Sequence, residues 1–494
     1  VNKRDARVPS VADIQRLWGL AAGTDDEHAT VEAALLGLGL EGWLRLDQEV
    51  RWSTWTDHDT VRARGVPDLA GEPTARLVLR TMSASGFLRE AAIRAIAGHA
   101  SPVVAPCLVL RCADWVPEVA ERARRELLRR AEADDATVAQ ALPLALALVR
   151  RVRAGDLVDA LLGSIGPRRP ALLERLLAHP DAPTRRRALW RGLVVGQLTT
   201  DRLVALALED PDIVVSIDSG VKAAEWAADA GDRVTLDRLA DGRAAVRRAV
   251  LDVLPPDAQG VAVAEARLFD RSRLVRAGAR GLLARAGVDA AARYRDALDD
   301  PRRRTIAVAE LGRGRGPATD VTADVALVTP FLADDRTGVR AAAVTTLHAL
   351  LGPAALDAVM PLLDDPAPGV VREVGRVLRA NPDAVPMERL LAAAEPDRPA
   401  HVRRAAIGLI RERSGTDRLL IDLHTIRDPD AMIASGARDD LGTWLRARAA
   451  RQPRPGPELQ RRLADELERS RSALPPGWDT QIAFHLGLRQ EVER

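Results

Sequence analysis

One arginine position repeats along the chain and is its most visible polar feature. Arg247, Arg276, Arg340, Arg372 and Arg403 each follow a valine and lead into a run of small and apolar residues. A guanidinium is planar and permanently charged, and it suits buried carboxylates and phosphates. Acids stand just upstream, Asp335 before Arg340, Asp365 before Arg372 and Asp241 before Arg247. Pairs of this kind would fix the register of neighbouring units. Their net stabilising effect is small, because desolvation offsets the attraction.

Denser arginine groups allow a different chemistry. Arg122, Arg124, Arg125, Arg129 and Arg130 crowd one segment, and Arg185, Arg186 and Arg187 open another. Free guanidiniums on one face could track phosphates. The interleaved Glu118, Glu121 and Glu126 favour solvated pairs three and four residues apart instead. Asp114-Trp115 and Trp190 offer an acid and indoles beside these arginines, although each Trp could equally fill a gap between helices. The nucleic-acid constellation would be Arg122, Arg125, Arg129, Arg186 and Arg187 with Trp115, Trp190 and Asp114.

Other chemistries find little footing. None of the eight His is followed by Glu, and C-x-x-C, H-E-x-x-H, G-x-S-x-G and Walker A patterns are absent. No catalytic residue, metal site or cofactor is therefore assigned. The loop Gly312–Pro317 (GRGRGP) has a phosphate-friendly composition but is too short to be specific, and the Gly-rich run 37–42 lacks a surrounding βαβ unit. Cys107 and Cys112 would lie about 140° apart on a helix, so they read as buried thiols.

The elements that must carry these residues are helical. The chain has 494 residues, 47% of them hydrophobic but only 3% aromatic, so its core is Ala, Leu and Val. Net charge is +2, which gives no overall drive toward nucleic acid or membrane. The stretches 239–254, 269–287, 332–352, 363–381 and 394–412 share an acidic turn, a Val-Arg pair and an apolar helix pattern. Their arginines recur 29 to 32 residues apart, with a weaker copy at 298–312 in the one double gap. Such a period means stacked supersecondary units. Shorter apolar segments precede each Val-Arg helix, so each unit reads as two helices. Asp210-Pro211, Asp300-Pro301 and Asp365-Pro366 are expected to cap the second helix, and Gly287, Gly312 and Gly352 to end it.

Residues 1–73, with four Trp, read as an N-terminal cap: helices over 10–20 and 26–38, and a short hairpin over 44–55. Residues 74–448 are the repeats. Residues 449–494 hold a Pro-rich linker and a helix over 457–473, acting as a cap or docking element. The apolar stretches are well short of a membrane span, no secretory signal pattern opens the chain, and a cytoplasmic location is expected.

The D-x-x-x-x-V-R-x-x-A core, as in Asp335 through Arg340 to Ala343, resembles the HEAT-repeat family, in particular the short bacterial PBS-lyase HEAT-like repeats. The resemblance covers about residues 74–448. It implies an all-α, curved α-solenoid of stacked antiparallel helical hairpins, about ten to twelve of them, with atypical caps. It also implies a ladder role for the repeated arginines, each pairing with the turn aspartate of its own or a neighbouring unit: Arg340 with Asp335, Arg372 with Asp365 and Arg247 with Asp241. HEAT-like DNA glycosylases of the AlkD type line a groove with Trp and an acid, and the constellation around Asp114 and Trp115 is similar in residue type only. A HEAT-repeat oxygenase group uses His-Glu pairs, which this chain lacks.

With no catalytic constellation, the expected function is a non-enzymatic scaffold binding an extended protein or peptide on its second helices. Arg280, Thr345, His348, Arg376 and Arg411 are the expected contact row. Nucleic-acid binding, including glycosylase activity, is the alternative, followed by a lyase or maturation factor of the PBS-lyase type.

Overall fold

The computed structural model describes residues 16–17, 19–21, 23–54, 57–149, 155–166, 169–313, 320–413, 415–447, 449 and 454–488. Among them there are helices and turns and no strand. The chain divides into two compact units, Val1–Val253 and Leu254–Arg494, so the division falls inside the repeats.

The first unit comprises α1 (Asp25–Leu36), α2 (Leu40–Ser53), α3 (Asp57–Arg64), α4 (Thr74–Arg80), α5 (Gly86–Ile96), α6 (Val104–Cys112), α7 (Pro117–Ala133), α8 (Asp135–Leu148), α9 (Gly155–Gly163), α10 (Pro170–Leu177), α11 (Ala182–Val194), α12 (Thr200–Glu209), α13 (Ile213–Asp229), α14 (Arg233–Leu239) and α15 (Ala244–Val253). Its helices pack as successive pairs, α4 on α5, α6 on α7, α10 on α11 and α12 on α13, and the second helices also stack on one another, as α5 does on α7 and α13 on α15.

The second unit continues with α16 (Ala258–Arg267), α17 (Arg273–Arg285), α18 (Ala290–Asp296), α19 (Arg304–Leu311), α20 (Val321–Val328), α21 (Thr337–Leu351), α22 (Leu356–Val359), α23 (Pro368–Leu378), α24 (Met387–Ala394), α25 (Ala400–Arg411), α26 (Gly415–Thr425), α27 (Ala431–Ala447), α28 (Pro457–Ser470) and α29 (Trp478–Leu486). Here α19, α21, α23 and α25 form the stack of second helices. Each unit is thus a helical repeat array, the all-α solenoid architecture that the period implies.

The core is aliphatic, as the composition requires. In the second unit Val370, Val371, Val374, Val377 and Leu378 of α23 interlock with Val402, Ala406, Ile407 and Ile410 of α25. The apolar positions fall three and four apart, so one helix face is buried and the other is left to solvent. Gly287 and Gly352 end α17 and α21 with φ of 72° and 61°, a left-handed region that costs glycine little.

Some local expectations are corrected. The expected hairpin over 44–55 is the helix α2. Its buried residues Trp43, Leu46 and Val50 follow the helical period, which overrides the β-branched and aromatic content. Asp210, Asp300 and Asp365 do not cap their helices, which begin three or four residues later at Ile213, Arg304 and Pro368. Each instead accepts a backbone N–H two residues on, from Asp212, Arg302 and Ala367. The true cap of α13 is Asp212, which accepts from Val214 and Val215. Most of the expected helix over 10–20, together with Trp18, Trp55 and residues 314–317 of the Gly-Arg loop, lies outside the described residues.

The last helices are part of the second unit. Leu463 and Leu467 of α28 and Ile482 of α29 join a cluster with Leu423 and Leu441. The helical run Thr337–Asp364 has enough length and hydropathy for a membrane span. It is broken at Gly352 and built into the stack on both sides, between α19 and α23.

Candidate functional site

The repeated arginine is a ladder, with a geometry that recurs five times. Arg89, Arg185, Arg276, Arg340 and Arg403 each donate through Nη1 to a backbone carbonyl five or six residues upstream. In four of them Nε and Nη2 then grip a turn acid of the following unit, and Arg276 reaches Glu310 through Nε. Arg89 holds Asp114 at 3.0 and 2.9 Å, Arg185 holds Asp210 at 3.0 Å twice, Arg340 holds Asp365 at 2.7 and 2.9 Å, and Arg403 holds Asp428 at 2.9 Å twice. Such bidentate, charge-assisted pairs are both strong and directional. The same acids pin the next turn through a backbone N–H, so each arginine ties two units together.

The acid of a neighbouring unit is the partner, and the individual pairings are corrected. Arg340 reaches Asp365 of the next unit, 25 residues on, and not its own Asp335, which is exposed. Arg372 is not a rung: its side chain is 77% exposed and comes no nearer than 3.9 Å to Glu373. The ladder position lies six residues after the turn acid, which for Asp365 is the buried Val371. Arg372 is therefore rotated about 100° outward. His401 takes over the missing carbonyl contact, its Nε2 lying 3.1 Å from the Asp365 carbonyl oxygen. Arg247 donates to the Gly242 carbonyl, and Asp241 is exposed. Arg276 grips Glu310 of α19 at 2.8 Å.

Asp114 proves to be a ladder acid. It is buried among Arg89, Arg111 and the Val116 N–H. Burial works to raise its carboxyl, but the Arg89 fork and Arg111 hold it below the usual carboxylate range. An acid with both oxygens spent inside the fold is not placed for glycosidic chemistry. Trp115, its neighbour, is 61% exposed. Arg51 and Arg89 lie over the Trp115 ring at 4.3 and 4.6 Å. Burial, then Arg111 and Arg89, lower Arg51 against the opposing pull of Asp47. Phe87, 64% exposed, and Trp115 border a cleft of about 840 Å³ with Glu90, Glu118 and Asp59 at its polar edge.

The arginines of α7 are largely satisfied. Glu126 accepts from both Arg129 and Arg130, Arg122 reaches Glu90 of α5, and Arg124 reaches the Asp156 carbonyl. Arg125 is exposed on the same helix. On α11 Arg186 is paired with Asp212 at 2.9 and 2.7 Å, whereas Arg187 and Trp190 are exposed.

The expected contact row is scattered by the register. Arg280 faces the buried Glu310, and Arg411 donates to Asp422 at 2.9 and 2.6 Å. Burial pushes the Asp422 carboxyl up to about 7, against the pull of Arg411. Thr345 bonds the Ala342 carbonyl and His348 the Gly352 carbonyl, both half-buried. Arg376 is exposed and touches Glu373 at 2.8 Å.

Sequence reading missed Glu310 and Arg273, and weighed Arg313 only as part of the Gly-Arg loop. Glu310 is completely buried and receives Arg276, Arg280 and Arg313 together. The available signal was that α17, α19 and α21 contain this one acid between them.

Among the described residues no group of His, Cys, Asp and Glu could hold a metal ion. Burial pushes the thiols of Cys107 and Cys112 up to about 11 and about 12, so neither is a ready nucleophile at neutral pH.

No family model and no curated protein matches the chain. Among solved structures it is similar to an engineered protein, at 14% identity and a TM-score of 0.22 over 96% of this chain and 99% of that one. It is also similar to importin beta, at 12% identity and a TM-score of 0.30 over 96% of this chain and 68% of that one. Likenesses at these scores carry no argument. The fold rests on the helix pairs and ladder described above.

Proposed function

We propose that the chain is a non-enzymatic scaffold that binds protein or peptide partners on exposed faces of its helical repeats. The observation that carries this reading is the contrast at residues 114 and 115. The acid is consumed in the fold, while the indole stands in solvent above a cleft large enough for a partner's side chains. Aromatic residues so exposed beside a cleft are the usual anchors of protein interfaces. The ladder supports the same reading, because its arginines and acids satisfy one another and leave no pair free for acid–base work.

The test is affinity capture by the full chain with and without nuclease, compared with the Phe87→Ala/Trp115→Ala double variant. A stoichiometric protein that survives nuclease and is lost with the variant is the expected result. Capture of nucleic acid alone would replace the reading with the phosphate-binding one. The PBS-lyase-like assignment is kept only as a proposal about ancestry, resting on the Val-Arg core of the repeats.

A further inference from the structure

In the second unit the ladder register turns outward the positions one, five and eight residues after each rung. On α17 these begin with Ala277 and Gly281, and on α21 they are Ala341, Thr345 and His348. A side chain added at Gly281 would meet no atom within 4 Å, so this floor is open. On α23 the same positions are Arg372, Arg376 and Arg379, all exposed, with Glu373 as the one acid on that helix. At the other end, Arg273 and Arg280 share a face of α17 with Arg276, at i−3 and i+4. Arg276, Arg280 and Arg313 surround the single carboxylate of Glu310, and Arg273 stands exposed one turn before Arg276. Arg313 is lowered first by burial, against the pull of Glu310, and then by repulsion from Arg273, Arg276 and Arg280.

Three cations around one buried acid, with Arg273 beside them, leave a local excess of positive charge, and Arg372 and Arg376 beside Glu373, with Arg379 a turn further on, leave another. A floor of small, mostly uncharged side chains lies between. We propose that this face of the second unit docks an extended acidic peptide segment, with one carboxylate group over Arg273, Arg280 and Arg313 and a second over Arg372, Arg376 and Arg379. This rests on the scaffold reading and adds the chemistry of the partner. Carboxylate is favoured over a phosphate backbone because the cations form two separate groups and not a track. The rungs Arg340 and Arg403 have their forks closed on Asp365 and Asp428. At 8–10 Å per helix, the three steps from α17 to α23 span roughly 30 Å. An extended chain covers that distance in about nine residues.

The full-length protein is titrated with a fluorescein-labelled peptide carrying three Glu, nine Gly/Ser residues and three Glu. A peptide with the same residues but six contiguous Glu is the comparison, and a single-stranded 15-mer oligonucleotide is the third probe. Linking two subsites should make the spaced peptide bind about ten-fold tighter than the contiguous one. Arg372→Ala/Arg376→Ala/Arg379→Ala should abolish that preference, and Arg273→Ala should reduce it. These side chains are exposed, so circular dichroism and melting should match the parent. Equal binding of the two peptides, or a preference that survives the triple substitution, overturns the proposal. So does tighter binding of the oligonucleotide with no peptide preference. A nuclease-resistant partner that binds all variants equally would sink this site while leaving the scaffold reading intact.

Discussion

Helix α7 in the first unit and helix α17 in the second are both rich in arginine, and they differ in what the arginines do. On α7 five Arg are interleaved with four Glu, and Arg122, Arg129 and Arg130 pair along the helix or with α5. On α17 four Arg have no acid on their own helix, and two of them converge on Glu310 from α19. Arginine density is therefore a poor guide to free positive charge. What matters is how many acids the neighbouring elements return. The denser cluster is close to neutral, and the sparser one keeps an excess beside an open floor.

The largest effects should come from removing the acids that hold these arginines. Glu310→Ala leaves Arg276, Arg280 and Arg313 without their shared carboxylate and should cost about 3–5 kcal/mol. Glu126→Ala on the half-exposed α7 cluster should cost under about 1 kcal/mol. Urea denaturation of the two variants reads the difference directly, and similar losses would break the comparison.

A second contrast is pH. Burial works to raise the Glu466 carboxyl, but a bond from His424 and the charge of Arg427 hold it at about 2, against an ordinary 4.5. Its folded value lies below its unfolded one. The stability it adds is complete above about pH 4.5 and is lost as pH falls through about 2, an order of about 3 kcal/mol in total. Asp422 has the opposite sign. Its folded value, about 7, lies above the ordinary 3.8, so its contribution is greatest below pH 3.8 and declines as pH rises toward 7. Melting profiles should lose the acid limb in Glu466→Gln and the decline toward neutrality in Asp422→Asn.

The ladder register makes a third pair. Arg340→Ala breaks a nearly buried pair and should cost about 2 kcal/mol, whereas Arg372→Ala should change stability by under about 0.5 kcal/mol. Equal losses would restore the Val-Arg register read from sequence.

The helical period, the two-helix unit and the ladder arginines were legible because the apolar spacing and the Val-Arg pair are local patterns. The partner of each arginine was not. Asp335 and Asp365 are both acids in turns, and only the stacking distance decides that Arg340 reaches 25 residues forward. Arg372 was misassigned for a related reason: one residue of slip in the 363–381 turn places Val371 on the rung and turns the arginine out. Asp114 looked like a free acid beside Trp115 because burial leaves no mark in sequence. Phe87, which completes that cleft, stands alone in an Ala-rich helix and carries no motif.

The smallest effect tests whether the exposed aromatics of the first unit are there for the fold or for a partner. Trp115 gains little from burial, and its folded-state contacts are the Arg51 and Arg89 guanidiniums above its ring. Cation–π contacts at exposed sites contribute about 0.5–1 kcal/mol. Trp115→Ala removes two such contacts and should therefore cost about 1–2 kcal/mol, and Phe87→Ala less. In the second unit Tyr294 is fully buried against Phe269, with ring centroids 5.6 Å apart, and Tyr294→Ala should cost about 3–5 kcal/mol. If Trp115→Ala proved as costly as Tyr294→Ala, the indole would be a structural residue and the cleft would lose its anchor. A small loss, with partner capture abolished, would mean that the first unit holds an aromatic in water for what it binds.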